Sequence, residues 1–204
     1  MQKPQELVKS LQNPTGIWGY APIGFTDISI VVELSRHGSI GLYNGEGLSA
    51  SELLSIVTQI SSTLTATQQW GIRIPHEGIL TEWDHIDIPQ IPNIPIIIIP
   101  FSPTPEAQVQ LHHHGQLIIS EVLTLDDAQK KVEWADLFLV KGNEAGGFVS
   151  NKNTFIQIQE FHKAGFSFII EGGLGIFNTG AALVGGALGV VYEAQLYLLA
   201  ESPL

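Results

Sequence analysis

The chain has 204 residues, 44% of them hydrophobic, enough for one well-buried core and too little for two ordinary domains. Twenty acidic residues against nine basic ones leave a formal charge of −11, which argues against a nucleic-acid partner and against an anionic membrane surface. There is no cysteine, so disulfides and thiolate chemistry are excluded.

Met1 is not followed by a basic segment and an apolar run, so no signal peptide is expected. The longest apolar run, Ile94 to Phe101, is interrupted by prolines and is far too short to span a bilayer. The expectation is a single cytoplasmic domain over residues 1–204.

Gln5 to Leu11 reads as a short amphipathic helix, stopped by Asn13-Pro14-Thr15-Gly16. Gly16 to Ile23 is a first strand, and Thr26 or Asp27 can cap a helix that runs to His37. Ser39 to Tyr43 is a second strand. Ser49 and Glu52 have capping-box spacing, which starts a helix running to about Leu64. Trp70 to Ile74 is a third strand. From Pro75 to Pro92 the pattern weakens, and a shortened helix or irregular connection is expected. Ile94 to Pro100 is a fourth strand, apolar on both faces as a covered parallel strand should be.

Pro105 suits the first turn of a helix closing at Gly115, and Gln116 to Val122 is the fifth strand. Thr124 caps the next helix, with Asp126 and Asp127 near its start and Lys130 and Lys131 near its end, as the helix dipole favours. Leu137 to Lys141 is the sixth strand, opening into the polar, glycine-rich loop Lys141-Gly142-Asn143-Glu144-Ala145-Gly146-Gly147. Asn153 caps a helix through Lys163, ended by Gly165. Phe166 to Glu171 is the seventh strand, Phe177 to Leu188 a small-residue helix, and Gly189 to Ala194 the eighth strand.

Eight strands alternating with helix-length segments imply a parallel sheet, and eight such units make a compact (β/α)₈ TIM barrel. The runner-up, a doubly wound open sheet, would carry a glycine fingerprint after its first strand, and Ala21-Pro22-Ile23-Gly24 is not one. After the eighth strand the chain ends at Ser202-Pro203-Leu204 without a closing helix, so the Gln5–Leu11 helix is expected to cover that side. The abrupt end suggests a domain from a longer polypeptide.

Ala21-Pro22-Ile23, the loop Lys141 to Gly147, and Glu171-Gly172-Gly173-Leu174-Gly175 occur in an order that resembles the nitronate monooxygenase (2-nitropropane dioxygenase-like) flavin barrels. The short form found as a domain of multidomain type I polyketide synthases is the nearest likeness. There the loop is followed by a segment similar to Asn153-Thr154-Phe155-Ile156, and a Gln-Leu stretch runs into Glu201-Ser202-Pro203-Leu204. The resemblance implies an FMN over the C-terminal mouth of the barrel. It places Ala21, Pro22, Gly146 and Gly147 near the cofactor and Gly172, Gly173 and Gly175 at its phosphate. Bare amides in a glycine turn suit an anion, and a tight turn with no ligand uses the same residues. The resemblance also implies partners among the domains of such a synthase, acyl carrier protein included.

The chain departs from that family at three places. Where the family carries Gly and Thr at the end of the eighth strand, Glu193 and Ala194 stand here, and Glu171 adds a second acid beside the glycines. A carboxylate about 4 Å from a phosphate charge costs on the order of 4 kcal/mol at an effective dielectric of 20, about a thousandfold in affinity. The position of the family's catalytic His is Phe148, which cannot accept a proton, and Lys141 replaces a common Gln. His162 falls on the following helix, where it reads as an ordinary surface residue. His112-His113-His114 face different directions on one helix and do not make a metal site.

Glu121, Lys141, Glu171 and Glu193 lie at the C-terminal ends of the fifth to eighth strands, where a barrel places its site. They are the candidate catalytic residues, as acid and base, or alternatively an ion-pair network in place of a cofactor. Three functions follow: a barrel without tight flavin binding that serves as a scaffold or interaction module, an FMN-dependent oxidoreductase of nitronate monooxygenase or enoyl reductase type, or a cofactor-free acid–base enzyme.

Overall fold

The computed structural model describes residues 13–85, 94–200 and 202–203. The helix expected at Gln5–Leu11, the second half of the Pro75–Pro92 stretch, and Glu201 and Leu204 lie outside the described residues.

Eight parallel strands close into a barrel in sequence order: β1 (Ile17–Tyr20), β2 (Ile40–Asn44), β3 (Trp70–Arg73), β4 (Ile94–Ile99), β5 (Gly115–Val122), β6 (Leu137–Lys141), β7 (Phe168–Glu171) and β8 (Val190–Tyr192). Closure is made by β1 on β8, with Ile17 opposite Val190 and Trp18 opposite Val191. Among the described residues seven α-helices alternate with them: α1 (Ser29–Arg36), α2 (Ala50–Thr63), α3 (Gly78–His85), α4 (Pro105–His114), α5 (Leu125–Lys131), α6 (Thr154–Lys163) and α7 (Thr179–Val184). After β8 comes a 3₁₀ helix, Ala194–Leu198, and no α-helix follows it among the described residues.

Local chemistry accounts for most of the boundaries. Ser49 and Glu52 form the full capping box at α2. Thr124 accepts from the Asp127 amide at 3.1 Å to start α5, and Asn153 accepts from the Ile156 amide at 3.0 Å to start α6. Gly165 closes α6 at φ +77°. The weak Pro75–Pro92 stretch yields the eight-residue α3.

Two helices are shorter than expected. The first expected cap, Thr26 or Asp27, is displaced: Asp27 accepts from the Ser29 amide at 2.8 Å, and α1 begins at Ser29 with no side-chain cap. α7 covers six residues rather than Phe177 to Leu188, because its chain leaves the helix through Gly185 and then Gly186 at φ +108°.

Alternation along each strand sorts the core into two layers. Trp18, Ile40, Leu42, Ile96, Ile98, Leu117, Ile119, Leu137, Leu139, Ile169 and Val191 fill the barrel interior. Their neighbours, such as Ile97, Ile118, Phe138 and Ile170, pack outward against the helices. The helices sit close where a strand offers glycine. A Cβ at Gly41 would lie 2.6 Å from Val31 Cα and 2.7 Å from its carbonyl carbon, so β2 and α1 meet backbone to side-chain-free backbone.

Candidate functional site

The interior alternation continues to the C-terminal ends of the strands, where it stops being apolar. One step beyond the apolar layers, the strands in order supply Tyr20, Asn44, Arg73, Pro100, Glu121, Lys141, Glu171 and Glu193. All eight line one cavity of about 460 Å³ at the barrel mouth. Its upper wall is apolar, made by Ile23, Pro75, Phe101 and Phe148, with Glu46, Gly146 and Gly147 completing it.

Strand register places the charged groups. Glu121 stands two positions beyond Ile119 on β5, and Lys141 pairs directly with Glu171 between β6 and β7. On the β3–β5 side the guanidinium is fully hydrogen-bonded between two carboxylates. Arg73 Nε is 2.6 Å from Glu121 Oε1, its Nη2 is 3.4 Å from Glu121 Oε2, and its Nη1 is 2.6 Å from Glu46 Oε2. Burial opposes the Arg73 charge, but the bonds and attraction from Glu121 outweigh it and hold its pKa above the usual arginine value.

On the β6–β8 side the groups do not saturate one another. Lys141 Nζ lies 3.5 Å from Glu171 Oε1, both residues being buried. The other oxygen, Glu171 Oε2, is buried and has no hydrogen-bond partner, and neither has the Tyr20 hydroxyl. Burial raises the Glu171 pKa from 4.5 to about 7, Lys141 opposing the rise and Glu121 and Glu193 adding to it. Burial likewise pushes Tyr20 well above 10, with Glu121, Glu171 and Glu193 in the same sense, so the phenol is a neutral donor.

The four residues expected to carry chemistry, Glu121, Lys141, Glu171 and Glu193, therefore meet in one cavity, together with Gly146 and Gly147. Tyr20 and Arg73 were not expected there. Their signal was the two-residue period itself: counting inward positions from Trp18 and Gly71 reaches both. Ala21 and Pro22 do not line the cavity. They are buried below its rim, and the Ala21 amide donates to Leu42 O at 2.8 Å within the sheet. Phe148 stands at the mouth, 87% exposed. His162 lies on α6 against Gly186, away from the mouth. Among the described residues no group of three His, Cys, Asp or Glu could hold a metal ion, the histidine run at the end of α4 included.

Gly172, Gly173 and Gly175 border two smaller hollows beside the mouth. Gly172 and Gly173 adopt positive φ, +126° and +60°, the turn an anion nest would use. The surrounding groups do not fit a flavin phosphate. The Gly175 amide already donates to Asn178 Oδ1 at 2.6 Å and the Glu193 amide to Gln195 Oε1 at 3.2 Å. Gln195 also donates to Leu174 O. Glu144 lies against Gly173, fixed by Thr154 through its amide at 3.1 Å and hydroxyl at 3.0 Å. Glu144, Glu171 and Glu193 all border the hollow at Gly172 and Gly173, three carboxylates where an anion would rest.

No protein-family model and no curated protein sequence matches the chain. Solved structures do. FabK from Thermotoga maritima superposes with a TM-score of 0.80 at 16% identity, covering 98% of this chain and 64% of that protein. A nitroalkane oxidase from Streptomyces ansochromogenes gives 0.78 at 14%, covering 97% and 70%. The enoyl reductase domain of MlnA, from the macrolactin biosynthesis cluster of Bacillus amyloliquefaciens, gives 0.70 at 13%, covering 93% and 56%. The chain thus spans about two thirds or less of the FabK and MlnA domain lengths. At these identities the likeness is one of fold. In addition, no described helix is long and apolar enough to cross a membrane.

Proposed function

We propose that the barrel mouth is a flavin-independent acid–base site, in which Glu171 exchanges a proton with a small substrate and Lys141 is its charge partner. The observation that carries this is the state of one carboxyl group. Glu171 Oε1 faces Lys141 at 3.5 Å while Oε2 is buried without a partner, at the edge of a cavity of about 460 Å³. A purely structural ion network, and the scaffold role that goes with it, would be expected to satisfy such atoms, because an unpaired buried acceptor costs about 1–3 kcal/mol. Arg73 with Glu121 and Glu46 shows what a satisfied network looks like in the same mouth.

With a pKa of about 7, Glu171 is present as both acid and base near neutral pH, the condition under which a general base is most effective. Tyr20 Oη and Lys141 Nζ are donors for a substrate oxygen, and Ile23, Phe101 and Phe148 offer apolar surface at the rim. The fold likeness to the MlnA enoyl reductase domain supports a place within a polyketide synthase, where acyl compounds are the available substrates.

The test is α-proton exchange. Small acyl thioesters and ketones are incubated with the protein in D₂O and followed by proton NMR. Exchange is expected with wild type, rising with pH through about 7, and lost in Glu171→Gln. Exchange that persists in Glu171→Gln, or that appears only after FMN is added, overturns the reading. A purified protein that retains FMN through gel filtration overturns it as well.

A further inference from the structure

The charges lining the mouth do not cancel. Arg73 and Lys141 face Glu46, Glu121, Glu171 and Glu193, two positive groups against four negative ones. Each side carries one excess negative charge, but Arg73, Glu121 and Glu46 are bonded to one another, whereas on the β6–β8 side Glu171 keeps an oxygen without a partner. There Lys141 alone faces Glu171 and Glu193. Glu193 does not turn away: a Cβ at Gly146 would lie 3.0 Å from its Oε2, which places its carboxylate over the loop that forms the cavity wall. Independently of the acid count, Glu171 Oε2 is a buried acceptor with no partner. The aromatic and aliphatic rim of Ile23, Phe101 and Phe148 calls for an apolar body above this negative floor.

A group that satisfies these demands carries positive charge and N–H donors on a small apolar frame. A carboxylate or phosphate would meet uncancelled acids. A neutral oxygen can take the Tyr20 and Lys141 donors but by itself leaves Glu193 uncompensated. We infer that the mouth binds small organic ammonium compounds, the cationic nitrogen held by Glu171 and Glu193 and the apolar frame held by the rim. The inference rests on the reading of the mouth as a small-ligand site and names the ligand class.

Binding is coupled to protons. Glu171 is faced by Lys141 from β6, Glu121 from β5, Tyr20 from β1 and Glu193 and Tyr197 from the segment after β8. Arg73 on β3 lines the same cavity, and Glu144 in the loop after β6 borders the same hollow as Glu171. An ammonium pairs with the ionised carboxyl only, so affinity rises with pH through the Glu171 titration, and protons are released on binding.

Hexylammonium, 1-hexanol and hexanoate are titrated into the protein by calorimetry at pH 6 and pH 8, in two buffers of different ionisation enthalpy. Hexylammonium is expected to bind at least about tenfold more tightly than hexanol at pH 8. Its affinity should rise about tenfold from pH 6 to pH 8, with proton release at pH 6. Glu171→Gln should remove the pH dependence. Glu193→Gln, at a half-buried position, should weaken binding about threefold or more. Hexanol or hexanoate binding as tightly as hexylammonium overturns the ammonium assignment while leaving the mouth as a ligand site. No binding of any probe overturns both readings. Unchanged hexylammonium affinity in both variants also overturns the assignment.

Discussion

Arg73 Nε, on β3, lies 2.6 Å from Glu121 Oε1, on β5, so the guanidinium passes across the mouth position of the strand between them. That intervening position is Pro100, which has no polar side chain to compete. Breaking the pair leaves Glu121, only 7% exposed, as an uncompensated buried charge. Arg73→Met should therefore cost about 2–4 kcal/mol in urea unfolding at pH 7. Arg73→Met/Glu121→Met together should recover most of that loss. A double variant no more stable than the single one would show that the pair contributes nothing specific.

Glu171 should give the protein a distinctive pH profile. Its carboxyl binds a proton more tightly folded than unfolded, so its contribution to stability is fully present below about pH 4.5 and is lost as pH rises through about 7. The rise from 4.5 to about 7 corresponds to on the order of 3 kcal/mol at about 1.4 kcal/mol per unit. The difference in unfolding free energy between wild type and Glu171→Gln should thus shift by about that amount in favour of the variant between pH 4.5 and pH 8. Chemical denaturation at both pH values measures it, and a difference that stays constant with pH would remove the raised pKa from the account.

FMN should bind poorly, with no saturation of flavin fluorescence quenching at about 100 µM, since each carboxylate near the phosphate costs on the order of a few kcal/mol. Glu193→Gln should improve it by about tenfold or more, because one of the three acids at the Gly172–Gly173 hollow is then neutral. Tight binding by the wild type would show that the acids and the Asn178 and Gln195 hydrogen bonds rearrange around the anion.

Gly41→Ala should be among the most damaging single changes in the barrel. The added methyl meets the carbonyl oxygen, Cα and carbonyl carbon of Val31, all backbone, which no rotamer change can relieve. A loss of at least about 3 kcal/mol is expected, read as a fall in the urea midpoint. Gly47→Ala serves as the comparison: its Cβ meets nothing within 4 Å, and only the backbone strain of φ +80° is added.

The barrel is legible because its strands are short apolar runs, Ile96 to Ile99 and Leu137 to Val140 above all, separated by helices of which those at Ser49, Thr124 and Asn153 carry the expected caps. Glu121, Lys141, Glu171 and Glu193 were found because each is a charge ending an apolar run. Tyr20 is hidden in the sequence because an aromatic residue in an apolar strand looks like ordinary core, and Arg73 because the hydrophobicity of its strand does not say which face the charge takes. Ala21 and Pro22 were placed by resemblance alone, and the sheet uses the Ala21 amide that a ligand would need. The length of α7 was overestimated since alanine favours a helix while Gly185 and Gly186, within the same stretch, end it.

Because every strand end delivers one side chain to the mouth, and the interior beneath it is apolar and already packed, a library confined to the mouth positions outside the ion pairs would sample new specificities on an unchanged foundation. Asn44 and Pro100 are such positions, where recognition can be rewritten with no existing ion pair to dismantle first.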